Sequence, residues 1–236
     1  MVTTKQEVKN WYNKNFYSVF KGSSLFLRDY SMFLNHLNTK PGKRILDIGC
    51  GIGHFLKAAE ERGLKTFGIE ISNKAVEIAL KTTKKSIIME GEAESLPFET
   101  HYFDYVVCLG VLEHTLNMQK AIQEMVRVAK DDALFCIMVP NSDSLTWKIK
   151  KNKGTEQQEI GEKMMTLKEW MIFLKSNRLL IKEIHSEKWW PSNLKVSNNL
   201  LGIKQILKWL IVKMIWLFLP TKYAYQFIFI CKKYEI

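Results

Sequence analysis

LDIGCGIGHF, Leu46 to Phe55, ends a short apolar run and then sets glycine at alternate positions, 49, 51 and 53. A bare turn of this kind between a strand and a helix lets a ligand approach the backbone closely. The turn that cradles a pyrophosphate reads G-x-G-x-x-G, with its third glycine at the place His54 takes here. No G-K-[ST] follows, so the stretch is not a phosphate-binding loop of the nucleotide-hydrolase type either. Glu70 closes the next apolar run, TFGIE, about twenty residues on, the offset at which a carboxylate can accept bonds from ribose hydroxyls. The plainer reading of Glu70 is an acid favoured by the positive end of the following helix. Strand, glycine turn, helix, strand and acid together predict a nucleoside ligand that carries no pyrophosphate.

Outward from this stretch, apolar runs alternate with helical spacing. Strands are expected at Lys43–Gly49, Thr66–Ile71, Ser86–Met89, Phe103–Leu109, Ala133–Val139, Leu180–Ile184 and Tyr225–Cys231. Helices are expected at His54–Arg62, Asn73–Thr82 with Ser72 as cap, Met118–Ala129 and Leu167–Lys175. Such alternation predicts an α/β fold with βαβ units and a mostly parallel sheet. Residues 5–38, rich in aromatics, read as one or two helices ahead of the sheet. A very apolar segment, Leu200 to Pro220, stands before the last strand. The organisation expected is a single domain over 1–236. Residues 1–40 form a helical cap, 41–190 and 221–236 the core sheet, and 191–220 an apolar helical insertion.

At 236 residues the chain can bury one sizeable core. Its formal net charge of +11 attracts polyanions, anionic lipid surfaces or acidic substrates, unless the lysines only solvate the surface. The four cysteines, Cys50, Cys108, Cys136 and Cys231, form no C-x-x-C pair and sit in or beside apolar runs. They read as small buried hydrophobes in a reducing compartment. The N-terminal stretch has no apolar core of a secretory signal, so a cytoplasmic protein is expected.

RILDIGCGIGHFL, TFGIEIS, GEAESLPFETHYFDYVVCLGVLEHT and VRVAKDDALFCIMVPN, in that order over residues 43–141, resemble the class I S-adenosylmethionine-dependent methyltransferase family, in its small-molecule (type 11) branch. The resemblance implies a Rossmann-like seven-stranded sheet with helices on both faces. It also implies S-adenosylmethionine as cofactor, with S-adenosylhomocysteine as product. Asp47, Gly49, Cys50, Gly51 and Gly53 match the motif that cradles the cofactor's methionine end and sugar. Glu70, followed by Ile71, matches the acid that binds the ribose hydroxyls. Glu92 and Ala93 stand where a short acid usually meets the adenine amino group, with Glu in place of the commoner Asp. Leu109 and Gly110 match the end of the fourth strand, beside the methyl sulfonium. Asp131 and Asp132 replace a common Pro-Gly-Gly turn and are expected in a surface turn. Asp47 either orients the cofactor's ammonium end or caps backbone N–H groups of the turn.

Methyl transfer to a hydroxyl or an ammonium also needs a base. Glu113 and His114 follow the fourth strand at the edge where open α/β sheets bind ligands, so they are the candidate catalytic residues. Structural hydrogen bonds in that loop are the alternative. VLEHT resembles the E-x-x-E-H loop of quinone O-methyltransferases, which is associated with a divalent metal. Gly110 replaces its first Glu, and no metal is expected. His36, His54, His101 and His185 show no ligand spacing. The [DN]-P-P-[YFW] signature of base methylation is absent after the fourth strand, where CLGVL stands.

Three segments are expected to shape the acceptor pocket. They are the aromatic N-terminal region, the loop bearing Lys148, Lys150, Lys151 and Lys153, and the apolar insertion. The insertion's dense part, Ile206 to Leu219, is too short for a membrane span and is interrupted by Lys208 and Lys213. It reads as a lid, a contact in a homodimer, or a helix on an anionic membrane surface. The leading expectation is methyl transfer to a small or lipid-like acceptor. The alternatives are an RNA-directed methyltransferase, which lacks support from any added RNA-binding segment, and a non-catalytic cofactor-binding partner subunit.

Overall fold

The structure, a computed structural model, describes residues 4–16, 30–145, 147, 160–187 and 220–234. The apolar insertion up to residue 219, Tyr17, Phe20, Phe26 and the lysines at 148, 150, 151 and 153 lie outside the described residues, and with them the choice between lid, dimer contact and membrane helix. Among the described residues, no helix is long and apolar enough to cross a membrane.

Seven strands form one sheet in the order 3-2-1-4-5-7-6. They are β1 (Arg44–Ile48), β2 (Lys65–Glu70), β3 (Ile87–Glu90), β4 (Phe103–Leu109), β5 (Ala129–Pro140), β6 (Leu179–Glu187) and β7 (Gln226–Lys233). All neighbours are parallel except β7, which runs antiparallel to both β5 and β6. The Rossmann-like, mostly parallel sheet implied by the motifs is the one observed.

Central strands read as unbroken apolar runs because helices cover both faces. Side chains alternate between those faces. Leu46, Val106, Phe135 and Phe229 join one core with Ile122, Met125 and Trp170, from α5 (Met118–Val128) and α6 (Leu167–Ser176). Ile45, Val107, Cys136 and Ile230 join the other with Phe33, Phe55 and Leu56, from α2 (Ser31–His36) and α3 (His54–Glu61). All four cysteines are free and buried, as expected.

Local signals fix where the helices begin. Ser72 Oγ accepts from Ala75 N–H at 3.2 Å to start α4 (Asn73–Thr82), and Asn117 does the same for α5 through Lys120 N–H. Thr166 and Glu169 form a reciprocal capping box on α6. Thr4 and Glu7 form another on α1 (Lys5–Trp11), which runs directly into a wider π-turn, Tyr12–Phe16.

One expectation fails. Asp131 and Asp132 do not make a turn: β5 starts at Ala129 and carries both outward. Asp131 there pairs with His101 at 3.0 Å and with Lys233 of β7 at 3.2 Å. The antiparallel neighbour supplies the cation that lets an acidic pair sit in a strand.

Candidate functional site

Strand order reverses between β1 and β4, and ligands of open α/β sheets bind in the crevice at the carboxyl ends of such a pair. The glycine turn leaves β1 there, and the Glu113–His114 loop leaves β4.

Gly49, Gly51 and Gly53 all have positive φ, at +67°, +52° and +83°. The backbone N–H groups of Gly49 and Cys50 both donate to Ile69 O, at 2.7 and 3.0 Å, which ties the turn to β2. Glu70 is buried, and its two oxygens accept from Gly51 N–H and Ser72 N–H, each at 2.9 Å. The carboxylate that caps the turn is therefore that of Glu70, not Asp47. Burial raises the Glu70 pKa, and the N–H bonds of Ser72, Gly51 and Ile71 partly offset this. Asp47 is buried too, and burial first, then the neighbouring Glu70, pushes its carboxyl well above the usual range. Cys50 presents only its backbone to the crevice side of the turn. A Cβ added at Gly68 would lie 2.8 Å from the Cys50 Sγ, so the thiol packs on β2.

Ile71 is half-buried beside Glu70, Ala93 is buried, and Leu109 is half-buried at the end of β4. Gly110, at φ +71°, donates its N–H to Met138 O and turns the chain back over the crevice. Glu92 forms an ion pair with Lys5 of α1, and Glu90 one with Lys9. Asn13 completes the docking of the N-terminal segment. Ser72 Oγ donates to its Oδ1 at 2.6 Å, and its Nδ2 donates to Asn73 Oδ1 at 2.8 Å. The N-terminal segment thus lies over the ends of β2 and β3.

Glu113 and His114 stand on a single 3-10 turn, Leu112–His114, and both are buried. Burial pushes Glu113 up to about 8, with the nearby Glu162 carboxylate adding to the rise. Burial pulls His114 down to about 4. His114 Nε2 and Glu113 Oε1 are 3.9 Å apart, too far for a hydrogen bond. At neutral pH this is a protonated carboxyl beside a neutral imidazole, not an ion pair.

Two residues outside the motifs join the site, one of them from the aromatic N-terminal region. Half-buried Tyr12, at the head of the π-turn, is near enough to the carboxylates of Glu70, Glu113 and Glu162 that, after burial, they raise its phenol pKa. Glu162 sits beside the β4 loop because Lys163 N–H donates to Glu113 O at 3.0 Å. Neither lies in a motif, and chain distance hides both. The same holds on the outer surface. His36 and His185, without ligand spacing in sequence, stack with ring centroids 3.7 Å apart, and Glu183 bonds His185 at 2.8 Å. Ligand-type atoms of that trio, and of Glu113, His114 and Glu162, each lie within 4.8 Å of one another. The expectation of no metal rested on Gly110 in place of the loop's first Glu and on histidine spacing, and did not foresee either cluster.

A family profile described as a methyltransferase domain matches residues 46–137. The chain is 32% identical over 150 residues to the MJ1252 protein of Methanocaldococcus jannaschii, covering 62% of this chain and 57% of that one. It is 26% identical over 170 residues to the methyltransferase YcgJ of Bacillus subtilis, covering 68% and 66%. The solved YcgJ structure superposes with a TM-score of 0.60 at 20% identity, over 88% of this chain and 98% of that one. Over 152 residues this chain is 31% identical to a human protein named probable tRNA methyltransferase 9B, covering 63% of this chain and 28% of that one. The matches to MJ1252 and YcgJ span less than two thirds of those relatives' own length.

Proposed function

We propose that the chain, through the methyltransferase domain matched at residues 46–137, is a class I S-adenosylmethionine-dependent methyltransferase, and that it transfers a methyl group to a small acceptor held under its N-terminal segment. The residues at the crevice fit the cofactor. The two oxygens of buried Glu70 accept N–H groups of the turn and of Ser72, and a carboxylate's roughly four acceptor sites leave room for a hydroxyl, which suits a ribose. Buried Asp47 offers a carboxylate to a cationic amino group, and such a partner would relieve the cost of its burial. S-adenosylmethionine, when bound, supplies a methyl group already activated as a sulfonium.

The chain's own task is to hold an acceptor in line with that methyl group and to keep water out. Positioning of this kind contributes ~7–11 kcal/mol to lowering a barrier. The glycine turn bares its backbone to the cofactor, and Glu70 holds the turn. Neutral His114 is able to take a proton from the acceptor, a role worth ~10²–10⁴-fold in rate. Replacing His114 by Ala should lower turnover by about that factor while leaving S-adenosylhomocysteine affinity within about threefold. Unchanged turnover would remove His114 from the mechanism.

The observation that carries a small acceptor is the cover over the crevice. α1 and its π-turn are fastened there through Lys5, Lys9 and Asn13, and Tyr12 of that turn comes close to Glu113 and Glu162. An RNA acceptor is the second reading, supported by the +11 charge and by the tRNA methyltransferase relative. The test is radiolabelled S-adenosylmethionine with lipid, RNA and small-metabolite fractions, and Glu70→Ala as control. Label in the metabolite or lipid fraction supports the first reading. Label in RNA overturns it.

A further inference from the structure

The loop after β4 and the segment ahead of α6 bring three side chains to one point. An oxygen of Glu113, a ring nitrogen of His114 and an oxygen of Glu162 lie within 4.8 Å of one another. Glu113 is 2% exposed and His114 7%. Glu113 Oε2 and His114 Nδ1 have no hydrogen-bond partner among the described residues. Leaving a buried polar atom unpaired is costly, so two such atoms on adjacent residues mark a place that a ligand completes.

Lys163, next to Glu162, does not fill it. Lys163 directs its ammonium to the carbonyls of Thr115 and Leu116, at 2.9 and 3.1 Å, and thereby clamps the two segments together. What the point offers is two carboxyl groups and an imidazole nitrogen. Its natural complement is a cation rich in N–H donors. Three atoms no more than 4.8 Å apart share a centre within about 2.8 Å of each, the length of an N–H···O bond. A primary ammonium presents three N–H groups from one nitrogen, whereas a hydroxyl presents one donor and would leave the rest unmet. The ring of Tyr12 stands close by, and aromatic faces attract ammonium groups.

We propose that the acceptor is a protonated amine, seated on Glu113, His114 and Glu162 and methylated on nitrogen. This rests on the methyl-transfer reading above and narrows its substrate class. The ammonium gives one proton to His114 Nδ1, which frees the nitrogen lone pair. That lone pair forms the N–C bond as the donor's S–C bond breaks, and the S–C electron pair stays on sulfur. His114 then returns its proton to solvent, and the product leaves as a methylated ammonium.

The test is calorimetric titration of the full chain, saturated with S-adenosylhomocysteine at pH 7, using benzylammonium and its neutral isostere benzyl alcohol. Benzylammonium should bind at least about tenfold tighter than the alcohol, and Glu162→Gln and Glu113→Gln should each erase most of that preference. Both variants should keep the wild-type affinity for S-adenosylhomocysteine, which separates loss of the seat from loss of the fold. Equal binding of amine and alcohol overturns the proposal, as does no amine binding by a chain that binds S-adenosylhomocysteine. Mn²⁺ titrated in parallel gives the remaining outcome. Tight Mn²⁺ binding that displaces the amine and is lost in both variants makes the point a metal site and overturns the amine. Failure of the wild-type chain to bind S-adenosylhomocysteine would instead remove the methyl-transfer reading beneath it.

Discussion

Gly49 shows how much one absent methyl group decides. Its φ is +67°, and a Cβ there would lie 2.3 Å from Val111 Cγ2 in the loop that leaves β4. A side chain at 49 would therefore strain the turn and push the β4 loop off it at once. Gly49→Ala should cost on the order of 2–4 kcal/mol, from a disfavoured backbone region and from overpacking. Urea unfolding checks this, and a wild-type midpoint would show that the two loops are not in contact. Gly53 is a useful comparison, because its added Cβ would meet Thr83 and Ala79 at 3.1 to 3.2 Å, a milder crowding. The two acids of the crevice divide their work along the same lines. Glu70 reaches the N–H groups of Gly51 and Ser72 because β2 ends directly across from the turn, while Asp47 sits one strand away, inside β1.

At the scale of elements, the antiparallel insertion of β7 between β5 and β6 depends on a buried polar joint. Asn141, fully buried just past β5, donates from Nδ2 to the carbonyls of Lys222 and Ala224, at 2.9 and 2.7 Å. Its Oδ1 accepts Asp143 N–H at 2.9 Å, and the Trp147 indole donates to its backbone carbonyl at 3.0 Å. Two remote segments are held in register by one amide. Asn141→Ala leaves two carbonyls and an N–H without partners and should destabilise the chain by about 2–4 kcal/mol. Equilibrium unfolding measures it, and a loss under about 0.5 kcal/mol would mean that water replaces the amide. The π-turn after α1 is the other informative element. Wider turns of this kind recur at functional sites, and here the first residue of the turn is Tyr12, whose phenol is close enough to the acid cluster to feel its charge.

Over the whole molecule, charge is divided between a basic exterior and an acidic crevice. The net charge is +11, while Asp47, Glu70 and Glu113 are buried together at the carboxyl edge of the sheet. This division links stability to pH. The folded-state pKa of Glu113 is raised, to about 8 from 4.5, so its contribution is complete below 4.5 and is lost as pH rises through 8. His114 is lowered, to about 4 from 6.5, so its contribution is complete above 6.5 and is lost as pH falls through 4. Glu113→Gln, which cannot ionise, should therefore gain on the wild type between about pH 5 and pH 9, by an amount on the order of several kcal/mol. Unfolding free energies of both chains across that range provide the check. A constant difference would mean that the Glu113 carboxyl reaches water.

The alternation of apolar runs, the glycine turn and Glu70 were legible from LDIGCGIGHF and TFGIE because each depends on neighbours in the chain. A strand buried on both faces must be apolar throughout. A turn with three positive φ angles selects glycine, and an acid at a strand end lies at a fixed offset from it. Sequence also singled out Glu113 and His114 by their place after β4. It marked Tyr12 only as one of the aromatics of the N-terminal region, without a role, and was silent on Glu162; they reach the site from a helix about a hundred residues upstream and a loop about fifty residues downstream. It misread Asp131, because the partners that allow an acid in that strand are His101 and, on the antiparallel β7, Lys233. Chain-local physics wrote the sheet and the glycine turn into the sequence. The burial of Glu113 and His114, and the third carboxylate beside them, came from segments that meet only once the sheet is assembled, because desolvation is a property of the packed molecule and not of any stretch of its chain.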